Sequence, residues 1–442
     1  MALLKTFTMA SVILLLQTFG YSQNGKVLRL SLQEALGLAK TSSYQIQIAA
    51  SELEQAKGQN LESLSGFLPH VSVSENYIRS NDPVTVFSLK LKQGIFAQQD
   101  FALETLNNPD ALDNFTTSFQ VQQPLLNLDA IYGKSAASLG VKARKEAFKR
   151  AQEAVFLHVK KGYFGLILAR QNVTAIRESM ASAEAHRDDA KAAMEQGMIN
   201  EADYLAAEVR VAELQEQLIS AEHQIANASD GLKFVIGIED ESLVVPTDTL
   251  SVPSSIQDAE NLDEQIASRS DLQALQFQSK AAHRNVWMKR SGWIPRVNAF
   301  GAVEWNASRA LSSDASNWAL GFQLQWKFFE GFGIFGRSKQ ATAEAEKVEV
   351  QVRQAEEQAK MEVRKAWRAV EATEKRIRVA ESAVKQAEES HRIAQERFRE
   401  GLEKTSDLLD KEVALTNAKL RLLKARHDYT VAVSELEFAL GK

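Results

Sequence analysis

Apolar and small residues recur at helical spacing over one very long stretch near the end of the chain. From Gly336 to Glu400 there is no proline and no internal glycine, and Ala, Glu, Lys, Arg, Gln and Val dominate. All of these except Val are strong helix formers. Ala341, Ala345, Val348, Val352, Ala355 and Ala359 step by threes and fours. After Val363 the seam resumes through Ala366, Val370, Thr373, Ile377, Ala380, Val384, Ala387, His391, Ala394 and Phe398. The paired four-residue steps at Ala355, Ala359 and Val363 are a stutter, which locally unwinds a coiled coil. A helix of this length spans roughly 95 Å at about 1.5 Å per residue, some three times a bilayer core of roughly 30 Å. It therefore packs along other long helices rather than standing alone. The seam is rich in Ala, so its neighbours approach closely, and the rest of the surface is charged.

The helix ends at Gly401 and a second runs from Thr405 to Leu440. The same hairpin pattern occurs earlier, from about Leu128 to Glu195 and then back to Gly237. The two turns read alike, "QGMINEADYL" from Gln196 and "EGLEKTSDLL" from Glu400. On the returning helices Ala221, Ala228 and Leu232 match Ala425, Ala432 and Leu436.

Before each hairpin the period changes from about 3.6 to 2. Trp318, Leu320, Phe322, Leu324 and Trp326 alternate with Ala319, Gly321, Gln323, Gln325 and Lys327, which predicts a strand over Trp318–Phe328 with one apolar and one polar face. Its partner is Val297–Asn306, with Val303 and Trp305 near the end. Phe115, Phe119 and Val121 mark a strand of the first copy, and Val71, Val73 and Tyr77 its partner, joined by a loop from about Ile78 to Asn114. The loop of the second pair, Ala307–Ser316, is shorter. Each pair follows a helix that stops at a proline, "SGFLPH" (Ser65–His70) and "SGWIPR" (Ser291–Arg296). The first helix starts at a capping box, Ser31 with Glu34, breaks near Thr41–Ser43 and restarts at Tyr44. The second copy restarts at Ser270.

The chain is thus internally duplicated, with a first repeat over 23–238, a linker over 239–262 rich in Pro, Asp, Ser and Thr, and a second repeat over 263–442. Residues 1–22 read as a secretory signal: Lys5, an apolar core from Met9 to Leu16 that is too short to span a bilayer, and small residues before Gln23. There is no cysteine, which excludes disulfides and a thiol-linked lipid. A net charge of −5 gives no basic footprint for nucleic acid. No other stretch approaches the length of an apolar transmembrane helix.

Four strands do not close a barrel, and an open sheet edge is not viable in lipid. If these strands enter a membrane, several chains contribute, and three chains give twelve strands, within the outer-membrane range. Trp305, Trp318 and Trp326 suit aromatic girdles at the interfaces. Gln323, Gln325 and Lys327 would then line a wet lumen. The competing readings are a soluble β-sandwich for the strands and a plain structural coiled coil for the helices.

With the duplication, the strand pairs and the paired turns in view, the chain resembles the TolC-like outer-membrane efflux protein family over nearly all of its mature length. The resemblance rests on "SGFLP" and "SGWIP", on "QPLLNLDAIYG" (Gln123–Gly133) and "WKFFEGFGIFG" (Trp326–Gly336), and on the two turns, in the same order twice. It implies an α+β membrane protein: long helical hairpins forming a periplasmic α-barrel, and four strands per chain contributing to a twelve-stranded β-barrel in a homotrimer. It also implies an exit duct of a tripartite efflux pump or a type I secretion system. The partners would be a periplasmic adaptor (membrane fusion protein) and an inner-membrane RND or ABC transporter that supplies the energy. The adaptor is expected against Gly197, Met198, Gly401 and Leu402 at the periplasmic tip. Asp407 and Asp410 match the aspartates that ring the family's closed aperture. Trp318, Leu320, Phe322, Leu324 and Trp326 face lipid. Phe398 and Glu403 stand where the best-known member carries an aromatic and a basic residue.

Simpler roles compete at two of these sites. Each glycine also ends a helix in the left-handed conformation, and Asp407 also complements the dipole of the helix it starts, as Asp203 does in the first copy. Asp410 has no acidic counterpart, because Ala206 stands there. Nothing suggests an enzyme, a cofactor or a metal: His70, His158, His186, His223, His283, His391 and His427 are scattered and form no zinc-type pair. His391 falls on the Ala seam, packed or facing the lumen. There is no phosphate-cradling loop and no nucleophile motif. An alternative function is a periplasmic adaptor, against which the two hairpins and the amphipathic strand pairs argue.

Overall fold

A computed structural model describes residues 27–250 and 262–442. The signal-sequence reading lies outside the described residues. In chain order, Val27–Leu30 (β1) leads to Leu32–Ser42 (α1) and Tyr44–Glu62 (α2). His70–Ser80 (β2), Pro83–Lys92 (α3), Leu103–Asn107 (α4) and Leu112–Leu126 (β3) follow, and then the hairpin Leu128–Glu195 (α5) and Glu201–Ile236 (α6). Leu243–Pro246 (β4) precedes the second copy: Leu262–Ala267 (α7), Ser270–Arg290 (α8), Arg296–Ala307 (β5), Ala315–Gln325 (β6), Gly333–Arg399 (α9) and Thr405–Ala439 (α10).

The two hairpin helices α5 and α9 have 68 and 67 residues, or about 100 Å each at 1.5 Å per residue. The predicted α9 seam is the packed face: Ala341, Ala345, Ala359, Val363, Ala366, Thr373, Ile377 and Ala394 are buried, and no predicted seam residue is exposed. On the return helices Leu232 and Leu436 are fully buried at matching places. The capping box of α1 is present, with the Ser31 hydroxyl accepting from the Glu34 N–H at 3.3 Å and the Glu34 carboxylate accepting from the Ser31 N–H at 2.8 Å. The break at Ser43 is real: its backbone is extended, with φ −60° and ψ 127°.

The expected linker carries structure of its own. β4 pairs in parallel with β1, Val27 opposite Leu243 through Leu30 opposite Pro246. This small sheet closes a core of Leu30, Ala35, Val159, Tyr163, Leu166, Leu232 and Val244 around the middle of α5. The Tyr163 hydroxyl donates to the Leu30 carbonyl at 2.9 Å and lies 2.9 Å from the Asp248 carboxylate. Burial pushes its pKa up to about 12. A four-residue strand rich in Val is too short for periodicity to reveal, and parallel partners more than 200 residues apart leave no local signal.

Two further expectations change. The connection from Ile78 to Asn114 is not plain loop: its ends belong to β2 and β3, and it contains α3 and α4. Asp82 caps α3, accepting from the Thr85 N–H at 2.8 Å, with Pro83 at its first position. β6 ends at Gln325, one residue before Trp326, rather than at Phe328, and the Trp326 indole donates to the Trp293 carbonyl at 3.0 Å. That tryptophan is held against the end of the preceding helix–strand junction, outside the ladder.

Candidate functional site

The second sheet is antiparallel with order β2-β3-β5-β6. It is two strand hairpins, one from each repeat, laid side by side. Directly paired residues point to one side of a sheet, so the register fixes its faces. Val73 pairs with Phe119, Phe119 with Val303 and Val303 with Trp318. Val71, Val121, Gly301 and Leu320 form the next row. Ala299 with Phe322 and Val297 with Leu324 extend the same face. The opposite face carries Ser72, Ser74, Asn76, Ser118, Gln120, Gln122, Asn298, Asn317, Gln323 and Gln325. The alternation seen in β6 alone therefore runs through the middle of all four strands, interrupted by Phe300 and Ala302 on the polar face and by the row of Glu75, Thr117 and Ser316 on the apolar one.

The apolar face lies in the open. Trp318 is 80% exposed, and Leu320, Phe322 and Leu324 are exposed with it. Trp326 is also exposed, although it follows the strand. Apolar surface of this extent on a single chain marks contact with another apolar phase or with protein. The edge strands β2 and β6 have no further partner among the described residues.

Near the far ends of the strands the polar face is partly covered. Gln93, just after α3, donates to the Asn114 side chain and to the Asp113 carbonyl, both at 2.8 Å. Asn114 in turn donates to Asn306 at 3.1 Å, joining the two repeats through fully buried amides. Lys92 reaches Glu304 at 3.5 Å.

At the opposite end of the molecule the two long turns are built alike. Gly197 and Gly401 have φ +71° and +73°. After α5, the Gly197 N–H donates to the Met194 carbonyl and the Met198 N–H to the Ala193 carbonyl, both at 2.8 Å. After α9, Gly401 donates to Phe398 at 2.9 Å and Leu402 to Arg397 at 2.8 Å. Both are Schellman ends. The apolar residue that such an end often folds back onto its helix is here turned outward, with Met198 and Leu402 67% and 63% exposed. Nothing lies within 4 Å of a side chain added at either glycine.

Asp407 and Asp410 sit on consecutive exposed positions of the first turns of α10. Asp407 stands in the first turn of α10, where its charge complements the helix dipole, but it is not the cap residue. That place belongs to Lys404, which makes no side-chain cap bond, and the hydrogen-bond partner of Asp407 is the Ser406 hydroxyl at 3.5 Å. In the first copy Asn200 caps α6 through the Asp203 N–H at 2.9 Å. Glu403 pairs with Arg397 at 2.7 Å across the second turn.

The histidines are less scattered in space than in sequence. His186 of α5 and His391 of α9 have ring centroids 5.7 Å apart, and Glu412 of α10 lies 3.0 Å from His186 Nδ1. Three helices from two hairpins supply one residue each, so no spacing along the chain announces the cluster.

A duplicated chain of two hairpins, each led by a helix of about 100 Å, that carries an amphipathic sheet with two free edges has the architecture of a membrane-anchored helical duct. The chain belongs to the outer membrane efflux protein family, which matches residues 35–238 and 261–442. It is similar to the outer membrane protein TolC of Vibrio cholerae serotype O1, 23% identical over 70% of this chain and 68% of that one. It is similar to the alkaline protease secretion protein AprF of Pseudomonas aeruginosa, 23% identical over 99% of this chain and 88% of that one. The fold is that of the Campylobacter jejuni CmeC outer membrane channel, with a TM-score of 0.77 and 17% identity, covering 93% of this chain and 85% of that one. The protein is thus an outer-membrane transport duct with a large periplasmic helical portion.

Proposed function

We propose that three copies of this chain assemble around one axis as the passive exit duct of a tripartite efflux pump. The observation that carries this reading is the four-stranded sheet. Its apolar face is uncovered, its other face is polar, and both its edges lack a partner. Joining β6 of one copy to β2 of the next removes every free edge, and twelve strands then enclose a polar lumen. Residues 23–238 and 263–442 act as two quasi-equivalent repeats, with 239–262 passing between them. An inner-membrane RND or ABC transporter chooses the cargo and supplies the energy. A periplasmic adaptor docks on the turns, where Met198 and Leu402 offer unpartnered apolar contacts.

Asp407 and Asp410, exposed one turn apart, would place six carboxylates around the periplasmic aperture of the trimer. Such rings favour cations and raise one another's proton affinity. Protein secretion is a second cargo reading, favoured by the match along 99% of the chain to a protein named for alkaline protease secretion. The test is single-channel conductance in planar bilayers, wild type against Asp407→Asn/Asp410→Asn. The expected result is a small cation-selective conductance that loses selectivity in the variant. Selectivity unchanged by the double substitution removes the carboxylate gate and keeps the duct. Failure of the purified protein to insert at all removes the duct.

A further inference from the structure

We infer that His186, His391 and Glu412 form a binding site for a zinc-class divalent transition-metal ion that staples the two helical hairpins of one chain together. One donor atom from each residue lies within 4.8 Å of the others. His186 and Glu412 are only 5% and 2% exposed, and His391 is half-buried. The residues sit about two to three helical turns above the hairpin ends, roughly 10–14 Å at about 1.5 Å per residue.

Two observations separate this cluster from an ordinary buried histidine–carboxylate pair. Glu412 Oε1 and His391 Nε2 are both buried without a hydrogen-bond partner. Unpaired buried polar atoms are costly, so such atoms normally have a partner in the folded protein. The donor set is also assembled without any movement of the helices: two imidazole rings 5.7 Å apart and a carboxylate oxygen 3.0 Å from His186 Nδ1 face one another from three helices.

The chemistry of the donors selects the ion. Imidazole nitrogen favours zinc, copper and nickel over calcium and magnesium. Two histidines and one glutamate leave a fourth position to water, a common tetrahedral zinc arrangement. Tetrahedral donors at metal–nitrogen distances near 2.0–2.1 Å stand about 3.4 Å apart, so the His186–Glu412 pair at 3.0 Å is already close enough and the widest pair, within 4.8 Å, closes by at most about 1.4 Å. Binding through His186 Nδ1 leaves its Nε2–H to donate, so Gln395, whose side-chain amide lies 3.1 Å from that nitrogen, would orient the ring from outside the ion once its amide oxygen is turned toward it, as acceptors beside metal-bound histidines do. Because α5 belongs to one hairpin and α9 and α10 to the other, the bound ion opposes any movement of one hairpin against the other near the turns.

The full-length protein, purified in detergent and stripped with a chelator, is titrated with Zn2+ against a chromophoric competitor, and separately with Co2+. One ion per chain is expected, with the visible absorption of low-coordinate, nitrogen-bound cobalt. Zn2+ should also raise the melting temperature of the wild type. His186→Gln and His391→Gln should each weaken binding beyond the ten- to hundred-fold typical of losing an outer partner. Helical content by circular dichroism shows that these variants are folded. Equal uptake by wild type and His186→Gln/His391→Gln overturns the site. So does a wild-type cobalt spectrum like that of cobalt in buffer, a reading that needs no variant.

Discussion

Gly237 and Gly401 share a backbone conformation but not their surroundings, and replacing each by Ala separates the cost of conformation from the cost of space. Their φ values are +87° and +73°. A Cβ in the left-handed region costs about 1–2 kcal/mol, and both substitutions incur it. At Gly401 nothing lies within 4 Å of the new atom, so the cost ends there. At Gly237 the atom would stand 2.2 Å from the Ser42 carbonyl oxygen and 2.7 Å from its carbon. That is about 1 Å inside contact distance, against backbone that is itself fixed by the α1–α2 break. Overpacking of this kind adds about 1–3 kcal/mol. Gly237→Ala should therefore cost about 2–5 kcal/mol against about 1–2 kcal/mol for Gly401→Ala. Thermal melts in detergent, at one scan rate and one protein concentration, make the comparison. A shift of about 2–4 °C per kcal/mol holds for 150–250 residues and is smaller for a chain of 442, so Gly237→Ala should melt several degrees lower and Gly401→Ala only a degree or two. Equal shifts would refute the reasoning, because they would mean that the approach of α6 to Ser42 relaxes at no cost.

Tyr163→Phe should cost about 1–3 kcal/mol: the Leu30 carbonyl keeps the Thr247 N–H and the Asp248 carboxylate keeps the Leu32 N–H, but the Asp248 N–H loses the Tyr163 hydroxyl to which it donates at 3.3 Å. The same hydroxyl predicts a pH effect. Its folded pKa of about 12 lies above its ordinary value of 10, so its contribution is intact below pH 10 and is lost as pH rises toward 12. Ionising the buried ring costs the fold on the order of 3 kcal/mol once the pH passes 12, so the gap that urea unfolding shows between wild type and Tyr163→Phe at pH 8 should narrow by pH 11. On the sheet, Phe322→Lys should reduce recovery in the outer-membrane fraction, since a lysine on a lipid face costs about 2–4 kcal/mol at mid-bilayer. Gln323→Lys on the other face should be tolerated, and equal loss for both would sink the assignment of faces. At the tip, Met198→Ser/Leu402→Ser should leave conductance unchanged while abolishing efflux and adaptor cross-linking. Full efflux by that variant would move the docking site elsewhere.

Elements with long periodicity were legible in the sequence. The α5 bounds, the α9 seam, the capping box at Ser31 and the paired glycine turns all follow from local chemistry repeated many times. The strand faces were legible in β6 because Trp318, Leu320, Phe322 and Leu324 alternate cleanly. They were less so in β5, where Gly301 and Ala302 are both small. What stayed hidden depends on distant partners. β4 is four residues long and finds β1 across two long helices. α3 looks like loop because it is only ten residues long and its apolar residues, Val84, Val86, Phe87, Leu89 and Leu91, spread around the helix instead of marking one face. The cluster of His186, His391 and Glu412 draws one residue from each of three helices, and only packing brings them together.

The two strand hairpins differ at their far ends. One carries α3 folded back over its polar side, and the other turns within 308–314. Around a threefold axis the outer mouth would therefore not be round. Three helices, each about 10 Å across, would project inward and alternate with three unobstructed sides. The opening would become a trefoil, narrowest where each α3 overlies the ends of β3, β5 and β6. Deleting 83–109 should widen the mouth and raise the conductance of an opened channel, and an unchanged conductance would show that the outer end never limits flow. In such a trimer, passage would be governed at the two extremities by unlike means: charge where the helices end, and shape where the strands do.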